Sequence, residues 1–177
     1  MIKIGGVGSV LLSDDGVGPY VVRTLAAQYE FPSDVEIDDL GTPGLDLIAH
    51  ITGMDTLILV DAVKNGTPAG TITPYYKEDI TKIRPAVRMD PHSPALTESL
   101  FLAEMGGGAP EHVLLIGISG ESYEVGENLS EPVKAAVPRV IEMILQELER
   151  LGIQYKKKEV PDPNPVWWET TPTAVQL

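Results

Sequence analysis

The sequence predicts an α/β fold: a central, mostly parallel twisted sheet of about five strands flanked by helices on both faces. Three observations carry that expectation. Short strand-like runs alternate with amphipathic segments, the order that packs helices onto a largely parallel sheet. One run, Thr56-Leu57-Ile58-Leu59-Val60-Asp61-Ala62, is apolar up to its acid, as a strand buried on both faces must be. A length of 177 residues with 43% hydrophobic content supplies one well-buried core and is short for two ordinary domains.

In chain order, Ile2 to Val7 forms the first strand, followed by a helix that places Val17, Val21, Thr24, Leu25 and Gln28 on one face. Val35 to Asp39 is the next strand, and Leu45, Leu47, Ile48 and Ile51 mark a shorter helix after Gly44. Thr56 to Asp61 is the central strand. Gly70 to Tyr76, set between Gly/Pro-rich turns, is an edge strand or a hairpin arm, because Pro74 has no N–H for a ladder, and its pairing direction stays open. Pro94 to Met105 reads as a helix and Val113 to Ser119 as a strand.

The last helix takes Ser130 as N-cap, turns Val133, Val137, Val140, Ile141, Ile144, Leu145 and Leu148 inward, and stops at Leu151-Gly152. Pro138 should kink it or mark its effective start. Residues 1–152 are thus expected to form a single α/β domain, with 153–177 as a tail. That tail carries Lys156-Lys157-Lys158, then Pro161, Pro163, Pro165 and Trp167-Trp168, without helical or strand period. Adjacent tryptophans are costly to leave in water, so the tail is expected to dock on a protein surface, its own or a partner's.

Thirteen basic against twenty-six acidic side chains give a formal charge of −13, which repels nucleic acid and anionic membrane surfaces. No apolar run approaches the roughly 20 residues of a membrane span. The start, Met1-Ile2-Lys3-Ile4-Gly5, lacks the pattern of a secretory signal, so a cytoplasmic location is expected. The absence of cysteine removes disulfides, thiolate metal sites and a cysteine nucleophile. Any metal must be held by nitrogen and oxygen.

Three possible ligands each follow or end a strand-like segment or leave the sheet: Asp15, Asp61 and His92. Two carboxylates and an imidazole suit a borderline divalent ion such as nickel or zinc and leave coordination positions open. The first acid belongs to Gly6-Val7-Gly8-Ser9-Val10-Leu11-Leu12-Ser13-Asp14-Asp15-Gly16-Val17-Gly18. A dinucleotide reading of these glycines is weak, because two carboxylates at the helix entrance repel a pyrophosphate. Capping of the following helix is the plainer role for Asp14, and the alternative for Asp15. Asp61 ends the apolar run, where a central strand opens into a binding crevice. His92 sits in Asp90-Pro91-His92-Ser93-Pro94, a loop stiffened by two prolines, while His50 and His112 read as solvated or structural. Gly-x-Ser-x-Gly and His-Glu-x-x-His are both absent.

With these motifs in order, the chain resembles the nickel-iron hydrogenase maturation endopeptidases, which remove a C-terminal extension from the hydrogenase large subunit once nickel has been inserted. The resemblance covers about residues 1–152 and not the tail. The family's G-N-x-L-x-x-D-[DE]-G-x-G stretch puts its first ligand on Asp15, the acid of its V-D-A strand falls on Asp61, and the later histidine falls on His92. Asp39 with Gly41-Thr42-Pro43-Gly44 resembles the D-G-G-T-x-G loop linked to substrate recognition, which makes Asp39, Gly41 and Thr42 substrate-binding candidates. Two positions depart from the pattern: Ser9 replaces the usual asparagine, and Gly5 replaces an apolar residue.

The resemblance implies that Asp15, Asp61 and His92 bind nickel supplied by the large-subunit precursor, with zinc or cadmium able to substitute in the isolated protein. Asp14 is the nearest remaining carboxylate for positioning the attacking water as general base, set against its capping role. The competing reading is a non-catalytic nickel-handling or precursor-binding module, and a third is an acidic nucleotide-binding domain.

Overall fold

The computed structural model describes residues 1–82, 93–126 and 128–169. Five strands form one sheet: β1 (Ile2–Val7), β3 (Val35–Gly41), β4 (Thr56–Val63), β5 (Ile72–Tyr76) and β6 (His112–Ser119). Their spatial order is β3-β1-β4-β6-β5, with every pair parallel except β5 against β6. The direction left open for the fifth strand is therefore antiparallel. Pro74 is accommodated because β5 lies at the sheet edge.

Side chains alternate across a strand, so the apolar runs feed two layers. On one face, Ile2 and Ile4 of β1, Ile58, Val60 and Ala62 of β4, and Ile116 and Ile118 of β6 pack with α1 (Val17–Gln28) and α5 (Glu131–Arg150). On the other, Leu57, Leu59, Val113 and Leu115 pack with α2 (Leu47–Ile51), α3 (Lys77–Lys82) and α4 (Ser93–Met105). The central strand β4 is buried at all of its positions, as its unbroken apolar character requires.

Two elements differ from expectation for local reasons, while the last helix begins directly after Ser130 and not at Pro138. β4 runs two residues past Asp61, to Val63, so the acid lies inside the ladder opposite Gly117. Leu45 belongs to a 3₁₀ turn, Gly44–Asp46, whose tighter winding rotates it out of register; it is 54% exposed, whereas Leu47 and Ile51 are buried. Helix α5 continues through Pro138, with a second proline, Pro132, in its first turn. Its end matches the expected one, with Leu151 as C-cap and Gly152 at φ 75°.

Gly5, which departs from the family pattern, has a packing reason. A Cβ there would sit 2.5 Å from Leu40 Cδ1 and 2.9 Å from Leu59 Cδ2, so these two side chains already fill the space an apolar residue would take.

Past Gly152 the chain turns back over α1. Lys156–Lys157, strand β7, pairs antiparallel with β2 (Tyr29–Glu30), and Tyr155 joins Tyr29 and Phe31 in an aromatic cluster. Trp168 is buried on the protein's own surface at 6% exposure, while Trp167 stays 65% exposed. Among the described residues, no helix is long and apolar enough to cross a membrane.

Candidate active site

The chain passes from β1 to β3 on one side of β1 and then to β4 on the other, so the connections diverge between β1 and β4. In open α/β sheets a crevice forms at the carboxyl ends of the strands at such a switch point. The loop after β1 carries Asp14 and Asp15 in a 3₁₀ turn, Ser13–Gly16, that packs against β4. Asp61 lies one residue beyond the paired Gly6 and Val60. The topology therefore brings Asp15 and Asp61 to the same edge of the sheet.

Close packing makes this convergence possible. Gly8 has φ 127°, and a Cβ on it would fall 1.8 Å from the Asp15 carbonyl oxygen. A Cβ on Gly18, at the start of α1, would fall 2.3 Å from the Val7 oxygen and 2.5 Å from the Val60 oxygen. The glycines press strand, turn and helix together instead of clearing room for a phosphate. Ser13, beside the two acids, holds the left-handed backbone at φ 50°, a conformation that costs a non-glycine residue energy.

Asp15 is 6% exposed, and its Oδ2 accepts the Ser9 backbone N–H at 2.7 Å. A main-chain donor makes this contact, so serine in place of asparagine leaves it intact; the Ser9 hydroxyl meanwhile accepts the Leu11 N–H at 3.3 Å. Asp61 is 7% exposed. The strand period that sends Leu57 and Leu59 toward α2 and α4 sends Asp61 to that same face.

Asp14 is fully buried and accepts four hydrogen bonds: Glu121 N at 2.7 Å, Ser122 N at 3.0 Å and Ser130 Oγ at 2.9 Å on Oδ2, and Ser130 N at 2.7 Å on Oδ1. It does not cap its own helix, since neither the 3₁₀ turn nor α1 has a side-chain cap. It fastens the loop after β6 and the entrance of α5 instead. Ser130 occupies the expected N-cap position, but its hydroxyl donates to Asp14 and makes no capping bond to its own helix. Backbone bonds from Ser13 N to Gly126 O, Gly126 N to Leu11 O and Asp14 N to Ser122 O zip the two loops together.

Asp39 accepts the Gly41 N–H at 3.1 Å on Oδ1 and pairs with Arg23 Nε at 3.0 Å on Oδ2. The Gly41 carbonyl in turn accepts the Gly8 N–H at 2.7 Å, which ties this segment to the loop bearing Asp15; Thr42 is exposed. His92 lies outside the described residues, and among those residues no group of three His, Cys, Asp or Glu side chains is placed to hold a metal ion. His50 stands in α2, and His112 is exposed at the start of β6.

Sequence reading overlooked several neighbours of this edge. Lys64, directly after β4, sets its ammonium 4.0 Å from the Tyr123 ring centroid, and the Tyr123 hydroxyl donates to Val63 O at 3.2 Å and accepts the Gly120 N–H at 3.2 Å. Arg23 was also missed, although the docking of the tail that brings Trp168 beside it was expected. Only the position of Lys64 immediately beyond the V-D-A strand offered a local signal.

Comparison with known proteins agrees with this architecture. A sequence model described as hydrogenase maturation protease matches residues 19–147. The hydrogenase expression/formation protein HoxM of Azotobacter vinelandii is 35% identical over 153 residues, covering 86% of this chain and 74% of that protein. The hydrogenase 2 maturation protease of Escherichia coli is 31% identical over 163 residues, covering 89% and 96%. Among solved structures, the E. coli hydrogenase maturating endopeptidase HybD superposes with a TM-score of 0.81 at 29% identity, covering 89% of this chain and 97% of that one. With a family match across most of its α/β body and relatives aligned over 74% and 96% of their own length, the chain belongs to the hydrogenase maturation protease family and is an endopeptidase.

Proposed function

We propose that this endopeptidase removes the C-terminal extension of a nickel-iron hydrogenase large-subunit precursor after nickel insertion, and that Asp15, Asp61 and His92 read the nickel carried by that precursor. The carrying observation is the convergence of the Asp15 turn and of Asp61 at the β1/β4 switch point.

The donor chemistry supports the reading. Two carboxylates and an imidazole suit a borderline ion while leaving positions for the precursor's own groups, and zinc or cadmium can stand in with the isolated protein. The Ser9 N–H on Asp15 Oδ2 orients that carboxylate, as supporting contacts around metal ligands commonly do. Asp61 faces the α4 layer, and α4 is the helix that follows His92 in sequence. That helix ends against the turn after α2, where Gly53 N donates to Gly108 O next to the start of β4, so its 13 residues begin toward the opposite, carboxyl edge of the sheet.

Asp14 serves as framework. Three donors crowd its Oδ2 and one sits on its Oδ1, and the side chain is fully buried, so solvent water does not reach it. The Asp39–Thr42 segment, the end of β3 and the residue beyond it, is tied through Gly41 to Gly8 and contacts the precursor beside the site. The net charge of −13 and the protein nature of the substrate fit a cytoplasmic enzyme acting away from nucleic acid and membranes.

Alanine replacements at Asp15, Asp61 and His92 test the assignment against nickel-loaded precursor. Each is expected to abolish shortening while keeping cooperative unfolding. Normal cleavage by all three variants would remove these residues from the site.

A further inference from the structure

We propose that Trp168 is a positioning residue: acting through Arg23, it fixes the segment Asp39–Thr42, where β3 ends and leaves the sheet, for the precursor. The proposal rests on the recognition role assigned above to that segment.

The tail is held along α1 by several independent contacts. Lys158 N donates to Gln28 O at 2.8 Å and Asp162 N to Ala27 O at 2.9 Å. Glu169 accepts from the Tyr20 hydroxyl at 3.3 Å and pairs with Lys134. Between these anchors the Trp168 ring lies 5.4 Å from the guanidinium carbon of Arg23, whose Nε binds Asp39 Oδ2 at 3.0 Å.

From Asp39 the connection continues through Gly41 N, at 3.1 Å from Oδ1, and Gly8 N, at 2.7 Å from Gly41 O, to Ser9 N, at 2.7 Å from Asp15 Oδ2. An aromatic floor under a guanidinium limits its rotamers and adds a cation–π attraction. Arg23 has a side chain 40% exposed, so without that floor water and other rotamers compete for it, and the Asp39 carboxylate loses the cation that holds it over the Gly41 amide.

The test uses the full chain with Trp168→Ala, Trp168→Phe and Arg23→Gln, read by amide hydrogen exchange and by precursor processing. Trp168→Ala and Arg23→Gln are expected to raise exchange at the Gly41 and Gly8 amides while leaving β4 and β6 protected. Both should raise KM for the precursor roughly three- to tenfold at unchanged kcat, the scale of one partly exposed cation–π contact or ion pair. Trp168→Phe should restore most of both readouts.

Unchanged exchange at the two glycines would overturn the brace itself, as would a general loss of protection, which would make the strap only a stabiliser of the fold. Raised exchange at those glycines with unaltered KM would overturn the part played in recognition. That last pattern places the failure in the segment's assigned role and not in the contact between tail and segment.

Discussion

Replacing Asp14 by alanine separates framework from chemistry. The carboxylate is fully buried and accepts four hydrogen bonds between 2.7 and 3.0 Å, three of them from backbone amides of residues more than a hundred positions away. Hydrogen bonds to a charged group are worth about 1.5–3 kcal/mol each, but part of that loss is recovered when the buried charge disappears and water reaches the exposed Glu121 turn. The expected net cost is about 3–5 kcal/mol, a large share of the 5–15 kcal/mol typical of a domain. Asp14→Asn keeps one acceptor oxygen and turns an amine toward the remaining donors, so its cost should be roughly 2–3 kcal/mol. Asp15→Ala gives up the Ser9 contact and should cost about 1 kcal/mol. Urea unfolding monitored by circular dichroism reads these differences as midpoint shifts at constant slope. An Asp14→Ala protein with an unshifted midpoint and no processing would refute the reasoning and put Asp14 into the reaction.

Two further outcomes follow from other positions. Gly8→Ala places a methyl on the Asp15 carbonyl at φ 127°; it should cost about 3 kcal/mol, lower Tm by roughly 6–12 °C in a thermal scan and abolish processing, and a wild-type Tm would contradict the packing argument. The hydrogen bond to Glu149, aided by partial burial, pushes the Tyr155 hydroxyl up to about 12. Because the folded value is raised, this tyrosine's contribution to stability is complete below the ordinary tyrosine pKa and is lost as pH climbs toward 12. Burial beside Glu169 raises Tyr20 as well, so spectrophotometric titration should show late-ionising tyrosines of which Tyr155 alone returns toward the ordinary value in Glu149→Gln.

What could be read from sequence divides along physical lines. The five strands and the layers of α1, α4 and α5 were legible because burial on one or two faces writes a period into adjacent residues, as in Thr56–Ala62 and Val133–Leu148. The second acid of the glycine-rich motif and the acid of the V-D-A strand could be singled out because the chain places them where a strand leaves or nears the sheet edge. Leu45 was misplaced because a 3₁₀ turn and an α-helix share the same apolar composition at this length. The role of Asp14 was illegible for a different reason. Its partners at Glu121, Ser122 and Ser130 are joined to it only by the fold, and no local pattern announces them. The same holds for where Trp168 settles, beside Arg23 of α1, since its composition announced that the tail docks and not on what, and for the two-residue pairing of β2 with β7, too short to impose a period.

The most direct measurement is mass spectrometry of a hydrogenase large-subunit precursor, nickel-loaded or nickel-free, incubated with the wild-type enzyme and with Asp61→Ala. The account predicts loss of the C-terminal extension only from loaded precursor and only with the wild-type enzyme. Equal cleavage of nickel-free precursor, or full cleavage by the Asp61 variant, would contradict it.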